Sequence, residues 1–291
     1  MTAGGAENIR SRYLWVDAHV TGTSVPEVRV VEHKVASPWS ANHQVDAHVV
    51  PSESVSGRWD VTIRSTIDAT RENLAGLDGL QAAESIYRTV HRDVMTAARI
   101  DRWTRLHAAL VDCGGVRVAI AGHSGAGKTT LSLALALRGA QLHADEGVFI
   151  RGEQAVGLPR RVHVKAGTFD VLPEISSCEL LHLPYEPPVW ALDPTSLPTP
   201  PDVVAGLRGI DVLLILEGWS ATTRVEPVPT AVALQSLAEQ SALWSDDHRL
   251  TLRNIAVLLS NTACFSLTRQ HLDSGIAAVE ELVASCVTRS I

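Results

Sequence analysis

The segment that most constrains the fold of this chain is GHSGAGKT, at residues 122–129. It matches the pattern G-x-x-x-x-G-K-[ST], in which a glycine-rich loop joins a strand to a helix and surrounds a phosphate with backbone N–H groups. The preceding run VRVAIA is typical of a buried strand, and TTLSLALALRG is typical of a helix that stops at Gly139. This order of strand, loop and helix predicts an α/β domain.

Each part of this loop, called the phosphate loop below, has a mechanical role. Its three glycines let the backbone turn inward around the β-phosphate of a nucleotide, Lys128 can reach the β- and γ-phosphates, and the Thr129 hydroxyl can bind Mg²⁺. The predicted nucleotide-binding residues are Gly122, His123, Ser124, Gly125, Ala126, Gly127, Lys128, Thr129 and Thr130. The alternative is a glycine-rich turn that binds nothing.

Two acidic residues follow the predicted helix. Asp145 lies 17 residues after Lys128, with Glu146 beside it, in QLHADEGVFI. If this segment is a strand parallel to VRVAIA, its carboxyl end lies beside the phosphates. One carboxylate could then hold the metal, and another could take a proton from an acceptor hydroxyl, as phosphoryl transfer requires. The alternative is a turn with two solvated acidic side chains. This alternative stays open because acidic residues are only probabilistic markers of a functional site.

His107 precedes the run AALVDC and has apolar neighbours. A histidine in such surroundings is more often a hydrogen-bonded structural residue than a catalytic one. Its pKa near neutrality nevertheless leaves a role in proton transfer open.

The segment LPRRVHVK brings four basic residues together within six positions. On a strand, alternation would place Arg161, His163 and Lys165 on one face, with Arg160 on the other. Such a cluster could hold phosphates or stabilise charge in a transition state, with Arg160 or Lys165 as the candidates. It could equally be a solvated basic face.

The rest of the chain suggests two unequal domains. Residues 1–100 carry β-like patches, EVRVVEHKV and WDVTIRS, and a stretch with helical spacing from Leu77 to about Ile100. We therefore expect a small α+β region at 1–100 and the loop-containing domain at 101–291. In the latter, AALVDC and VRVAIA flank Gly114-Gly115 and predict a hairpin, GIDVLLILEG predicts a buried strand, and PTAVALQSLAEQSALW predicts a helix. The proline-rich segment 183–201 predicts a loop or an edge excursion.

Bulk properties exclude several classes of partner. A formal net charge of −7 argues against general affinity for nucleic acid or an anionic membrane, and apolar runs such as VLLIL are too short to span a bilayer. The four cysteines are far apart and form no C-x-x-C pair, so neither a zinc site nor a disulfide framework is indicated. We expect a protein of the reduced cytoplasm with no nucleic-acid or membrane partner.

Taken together, these residues resemble the HPr kinase/phosphorylase family and the HPr-kinase-related serine kinases. The family pattern is a histidine heading a β-hairpin, an aspartate on the hairpin, the phosphate loop, a helix ending in Arg-Gly and a strand ending in Ala-Asp-Asp. The segment LHAALVDCGGVRVAIAGHSGAGKTTLSLALALRGAQLHADE follows it without a gap, with His107 fifteen residues before Gly122. The resemblance is strong over about residues 103–150 and weaker to about 245.

The resemblance implies a P-loop-containing, HPr-kinase-like core sheet flanked by helices and related to phosphoenolpyruvate carboxykinase. It also implies transfer of phosphate from ATP, with Mg²⁺, to a serine hydroxyl, with Asp145 as the base. Glu146 stands where the family has a second aspartate. The expected catalytic residues are His107, Lys128, Asp145 and Arg160, and the expected metal ligands are Thr129, Asp145 and Glu146.

One departure from the family bears on the acceptor. The glutamate- and arginine-containing signature that HPr kinases carry after the acidic strand is absent from RGEQAVGLPRRVHVK. We therefore expect the hydroxyl of another peptide, protein or small molecule as acceptor, rather than HPr. The rival hypothesis is a nucleotide-binding regulatory ATPase or switch module that phosphorylates nothing. The family is often oligomeric, which leaves a homo-oligomer open.

Overall fold

The computed structural model describes residues 16–21, 27–32, 44–65, 67, 69–158, 160–183, 186–201, 207–241 and 247–289. The ends of two predicted elements, residues 33–35 of EVRVVEHKV and 242–244 of PTAVALQSLAEQSALW, lie outside these ranges, as do residues 184–185 of the proline-rich segment. The chain forms two compact units, Met1–Asp101 and Arg102–Ile291. Among the described residues, every helix is too short or too polar to cross a membrane.

The first unit contains an antiparallel sheet in which each strand pairs with the next along the chain. Its strands are β1 (Val16–Thr21), β2 (Glu27–Glu32), β3 (Gln44–Pro51), β4 (Trp59–Ser65) and β5 (Arg71–Leu77). Helix α1 (Gly79–Ile100) packs on the sheet and starts with a capping box between Asp78 and Gln81. The predicted apolar face of α1 is buried at its centre, whereas Ile100, the last helical residue, is 60% exposed.

Among its described residues, the second unit contains three β-sheets and five α-helices. The strands are β6 (Thr104–Leu106), β7 (Ala109–Cys113), β8 (Val116–Gly122), β9 (Gln141–Ala144), β10 (Val148–Arg151), β11 (Gln154–Gly157), β12 (Val162–Lys165), β13 (Leu180–Leu183), β14 (Val189–Leu192), β15 (Val212–Trp219), β16 (Arg224–Pro227) and β17 (Ala263–Arg269). The helices are α2 (Lys128–Leu137), α3 (Ala166–Val171), α4 (Thr230–Ser241), α5 (His248–Leu259) and α6 (Leu272–Arg289).

The main sheet has the strand order β16-β17-β15-β8-β7-β9. Strand β8 is parallel to β15 and antiparallel to β7, β15 is parallel to β17, and β7 is antiparallel to β9. The chain directions of β8, β9, β15 and β17 therefore agree, and these four strands end at one edge of the sheet. The predicted β7–β8 hairpin is confirmed, and the phosphate loop leaves β8 at that common edge.

All seven residues of β8 are buried, because helices cover both faces of the sheet. Alternate β8 side chains belong to two apolar clusters, one on each face. The first cluster includes Val118, Ile120, Leu131 of α2 and Ile276 of α6. The second includes Ala119, Ala121, Leu237 of α4 and Ile255 of α5. This layered arrangement confirms the predicted mixed α/β architecture.

Two local predictions were wrong. QLHADEGVFI is not one strand, because the chain leaves the main sheet after β9 and enters a second sheet, β11-β10-β6, at β10. Gly157 of β11 makes this crossing compact, since a Cβ there would overlap the backbone of His143. The proline-rich segment is also not merely a loop, because β14 is the central strand of the sheet β12-β14-β13. Ala191 and Leu192 of β14 are fully buried, which accounts for a strand in this proline-rich segment.

Candidate active site

The phosphate loop presents backbone donors at the N-terminus of α2. Gly125 and Gly127 have φ angles of 80° and 85°, a left-handed conformation that favours glycine, and Gly127 caps the helix without a side-chain hydrogen bond. The N–H groups of Gly125, Gly127, Lys128 and Thr129 donate to no acceptor among the described residues. Unpaired N–H groups at a helix N-terminus form a site suited to an anion.

Gly122 has a different role from the one expected. Its N–H donates to Oε1 of Gln240, on α4, at 3.1 Å, a bond that a phosphate would have to displace. A Cβ at Gly122 would lie 2.9 Å from the carbonyl oxygen of Leu216. Gly122 therefore allows β8 and β15 to approach closely where the loop begins. Gln240 was missed by the sequence analysis, because nothing in the spacing of the motif points to a residue so far along the chain.

Lys128 lies inside the loop and is only 7% exposed. Its Nζ donates to the carbonyl oxygens of Gly122, at 2.8 Å, and His123, at 3.2 Å. Burial lowers the pKa of Lys128, while the charges of Asp145 and Glu146 act to raise it. The loop thus holds a cation at its centre with two carboxylates nearby.

Asp145 follows β9 and is 3% exposed. Burial, and then the charge of Glu146, raise its pKa to about 7, against the opposing effects of Thr129, Arg160 and Lys128. The Thr129 hydroxyl is close enough to lower this pKa, yet neither carboxylate oxygen accepts a hydrogen bond of standard geometry from the described residues. A buried acceptor without a donor is costly, and such groups are concentrated at functional sites.

Glu146 is held by arginines. Its carboxylate forms a close ion pair with the guanidinium of Arg160, whose side chain is 8% exposed, and its carbonyl oxygen accepts from Nη2 of Arg105 at 3.3 Å. Burial alone would raise the pKa of Glu146, but Arg160, followed by His163, holds it below its ordinary value. Glu146 is therefore ionised and paired, and its role as a metal ligand stays a prediction.

His107 lies in the turn between β6 and β7 and is half-buried. Burial, and then the charge of Lys128, lower its pKa, while Glu146 acts to raise it. The imidazole is therefore neutral at pH 7. His107, Lys128, Asp145, Glu146 and Arg160 thus form one cluster of interacting groups around the phosphate loop.

The predicted basic face of LPRRVHVK is divided by the structure. Arg161 forms ion pairs with Glu179, at 2.8 Å, and with Asp193, at 2.9 Å. Lys165 is exposed at the end of β12, whereas Arg160 turns to Glu146. Of the four basic residues in this segment, Arg160 and His163 act on Glu146, whereas Arg161 pairs with Glu179 and Asp193.

Asp112, the aspartate on the hairpin, lies at the end of β7 opposite the phosphate loop. It accepts from the N–H of Gly115 at 2.7 Å and pairs with Arg208 at 3.0 Å. These contacts stabilise the hairpin turn. Asp112 is therefore a structural residue of the fold and serves as a remote control for Asp145.

Two proteins of known name are similar to parts of this chain. A 68-residue stretch is 37% identical to the HPr kinase/phosphorylase of Clostridium acetobutylicum. The match covers 23% of this chain and spans about a fifth of that protein, 22% of its length. The structure of the Hpr(Ser) kinase/phosphatase from Coxiella burnetii aligns over 64% of this chain and 95% of its own, with 13% identity and a TM-score of 0.30. No family model matches the chain. The sequence match supports an HPr-kinase-like relationship.

Proposed function

We propose that this protein is an ATP-dependent kinase that transfers the γ-phosphoryl group to a hydroxyl, in particular a serine hydroxyl of a peptide, protein or small molecule. The observation that carries the proposal is the Asp145 carboxylate. It is buried, accepts no hydrogen bond of standard geometry from the described residues and lies beside Lys128 and Thr129 of the phosphate loop. A loop alone can hold phosphates, whereas transfer to a hydroxyl also requires a nearby proton acceptor.

In this proposal the core is a phosphate-loop kinase domain related to HPr kinase. The unpaired N–H groups of Gly125, Gly127, Lys128 and Thr129 bind the β-phosphate, assisted by the dipole of α2. Lys128 exchanges its two carbonyl acceptors in the loop for β- and γ-phosphate oxygens. Lys128, which would reach the γ-phosphate, interacts with both Asp145 and Glu146, so in this proposal the acceptor hydroxyl approaches from the side of Asp145.

The residues present fit a Mg²⁺ ion. Thr129 and the orphaned oxygens of Asp145 are hard oxygen ligands, which Mg²⁺ prefers. The described residues include no group of three or more His, Cys, Asp or Glu side chains that could hold a metal by themselves. In the proposed site, phosphate oxygens and waters would complete the shell of the ion, as they do in kinases. When bound, the ion neutralises negative charge on the β- and γ-phosphates.

The chain's own groups then account for the transfer. The oxygen of the acceptor hydroxyl bonds to the γ-phosphorus while Asp145 takes the proton of that hydroxyl. The bond between the γ-phosphorus and the oxygen bridging to the β-phosphate breaks, and its electron pair leaves with ADP. Arg160, fixed by Glu146, supplies positive charge at the transferring group. The neutral imidazole of His107 is suited to hydrogen-bonding the acceptor. Positioning and charge stabilisation supply most of the catalysis.

The test compares Asp145→Asn with Asp112→Asn, an equally conservative change at the turn of the β7–β8 hairpin, away from the phosphate loop. The wild type is incubated with γ-labelled ATP and Mg²⁺ against free serine, HPr and peptides encoded near the gene. We expect labelled product with one acceptor, a loss of about 100-fold or more in the Asp145 variant, and wild-type rates in the Asp112 variant. MgADP affinity should stay within a few fold in both.

Two results would contradict the proposal. Unchanged turnover in Asp145→Asn would remove Asp145 as the base. Tight nucleotide binding by the wild type without transfer to any acceptor would favour the regulatory switch module, which needs the phosphate loop but has no use for a base beside it.

A further inference from the structure

Arg269, the last residue of β17, contacts the phosphate loop from a neighbouring strand. Since β17 is parallel to β15, and β15 to β8, Arg269 is delivered to the edge of the sheet where the loop begins. Its side chain is 1% exposed, and Nη2 donates a close hydrogen bond to the carbonyl oxygen of Ala126. The guanidinium lies so near the loop that a Cβ at Gly127 would overlap Nη2.

Among the residues that the structure describes, this buried guanidinium has no acidic partner. Among the described residues it forms no ion pair, and its Nε and Nη1 are buried without a hydrogen-bond acceptor. Its Cζ lies instead 4.4 Å from the ring centroid of Trp219, at the end of β15, which is 62% exposed and covers the guanidinium. Burial lowers the pKa of Arg269. A buried charge without a counterion opposes folding, so stability does not explain the presence of this arginine.

The surroundings are shaped to admit the side chain. Gly275, inside α6, would place a Cβ 3.0 Å from Cδ of Arg269. Glycine within a helix is destabilising relative to alanine. The glycine at position 275 therefore makes room for Arg269 at a cost to the stability of α6. The stem of Arg269 therefore passes Gly275, and its head abuts Gly127.

The contact with Ala126 sets the direction of one loop N–H group. In a trans peptide the carbonyl and the following N–H point in opposite directions. With the Ala126 carbonyl fixed toward Arg269, the N–H of Gly127 points to the other side, where it donates to no acceptor among the described residues. This is one of the donors assigned above to the β-phosphate.

We propose that Arg269 is a positioning residue of the phosphate loop. By holding the Ala126 carbonyl, it presents the Gly127 N–H to the β-phosphate of a nucleoside di- or triphosphate, and Trp219 keeps the contact dry. The proposal rests on the nucleotide binding proposed above. It differs from a structural role in one respect: removing Arg269 should impair phosphate binding without lowering stability.

The test compares Arg269→Met with Arg117→Met by calorimetric titration of MgADP and by thermal unfolding. Arg117 is the matched control, because it is 5% exposed, lies at the opposite end of β8 and donates to the carbonyl oxygens of Ala155 and Arg208. In Arg269→Met we expect MgADP affinity to fall about 10-fold or more, with Tm unchanged or higher. In Arg117→Met we expect a lower Tm and wild-type affinity.

Gly275→Ala provides a second variant outside the binding site, in which the new methyl displaces the stem of Arg269 while alanine favours the helix. Here we expect a loss of affinity of about 3-fold or more in a folded protein. In ¹⁵N-glycine spectra without nucleotide, the Gly127 amide should shift in Arg269→Met and Gly275→Ala but not in Arg117→Met.

The outcomes separate the two proposals. If the wild type does not bind MgADP, the proposed function fails and Arg269 loses its role with it. If the wild type binds MgADP and both Arg269→Met and Gly275→Ala bind within about twofold of it, only the role of Arg269 is overturned. A lower Tm together with unchanged affinity in Arg269→Met would make Arg269 a structural residue. If Arg269→Met does not fold, the affinity of Gly275→Ala decides.

Discussion

Replacement of Asp145 by asparagine should stabilise the protein without ligands, although it removes the proposed proton acceptor. The carboxylate is almost fully buried and has no hydrogen-bond donor of standard geometry among the described residues. Burial, and then Glu146, raise its pKa from 3.8 to about 7. The ionised group therefore opposes folding at and above neutral pH, whereas an amide of similar shape carries no charge.

The size of the effect follows from the two pKa values. Because the folded chain binds this proton more tightly than the unfolded chain, stability falls as the pH rises from about 4 to about 7. Well inside this interval each pH unit corresponds to about 1.4 kcal/mol, and the slope falls as the pH approaches the folded pKa, so roughly 2 kcal/mol is lost between pH 5 and pH 7. The amide introduced by D145N does not titrate. We therefore expect the stability of D145N relative to wild type to increase by roughly 2–3 kcal/mol from pH 5 to pH 8.

Urea unfolding followed by circular dichroism, in EDTA and without nucleotide, measures this difference. The difference in unfolding free energy between D145N and wild type is compared at pH 5 and pH 8. The cost of burying the new amide does not depend on pH, so it cancels in this comparison. Asp112→Asn is the control, because Asp112 is paired with Arg208 and removing its charge should give no such gain. A difference between D145N and wild type that is the same at pH 5 and pH 8, or that shrinks, would refute the reasoning.

Three further outcomes are expected. Lys128→Ala should abolish transfer of phosphate from labelled ATP while the protein remains folded, because it removes the cation at the centre of the loop. Retained transfer would contradict the assignment of the phosphate loop. Gly127→Ala should weaken MgADP binding about 10-fold or more by calorimetry, since φ is 85° and the methyl would overlap Arg269, whereas unchanged affinity would exclude a strict need for this conformation. Cys113 should react slowly with iodoacetamide at pH 8 and about tenfold faster per added pH unit, because burial, and then Asp112, raise its pKa to about 11. Mass spectrometry of the labelled peptide measures this rate, and a rate independent of pH would contradict the pKa.

The local elements of the core could be predicted from the sequence because each has its own short-range signal. Gly114-Gly115 between two apolar runs defines the hairpin, and Gly139 ends the turn after α2. The boundaries of β9 and β10 could not be predicted in this way. The run QLHADEGVFI is continuous in pattern, but the chain changes sheets at Asp145, and that change depends on β6 and β11.

The contacts of individual side chains were less predictable. The alternating pattern of LPRRVHVK groups Arg161 with Lys165, but Arg161 is drawn to Glu179 and Asp193, two residues far along the chain. Pattern alone also suggested a free N–H at Gly122, which Gln240 occupies. Both the ion pairs of Arg161 and the hydrogen bond at Gly122 join residues that are far apart in the sequence, so neither could be predicted from a local pattern.

The sequence by itself determined the phosphate loop and the residues that surround it closely along the chain, Lys128, Thr129 and Asp145. A loop, its helix and the next strand are covalently linked at short range, so their spacing carries the information. Only the tertiary structure decided that Asp145 is buried without a hydrogen bond of standard geometry from the described residues, that Glu146 is paired with Arg160 and that Arg269 contacts the loop. Arg269 is 143 residues from Ala126 in sequence. The two meet because parallel strands β8, β15 and β17 end at one edge of the sheet, a relation that no local pattern encodes.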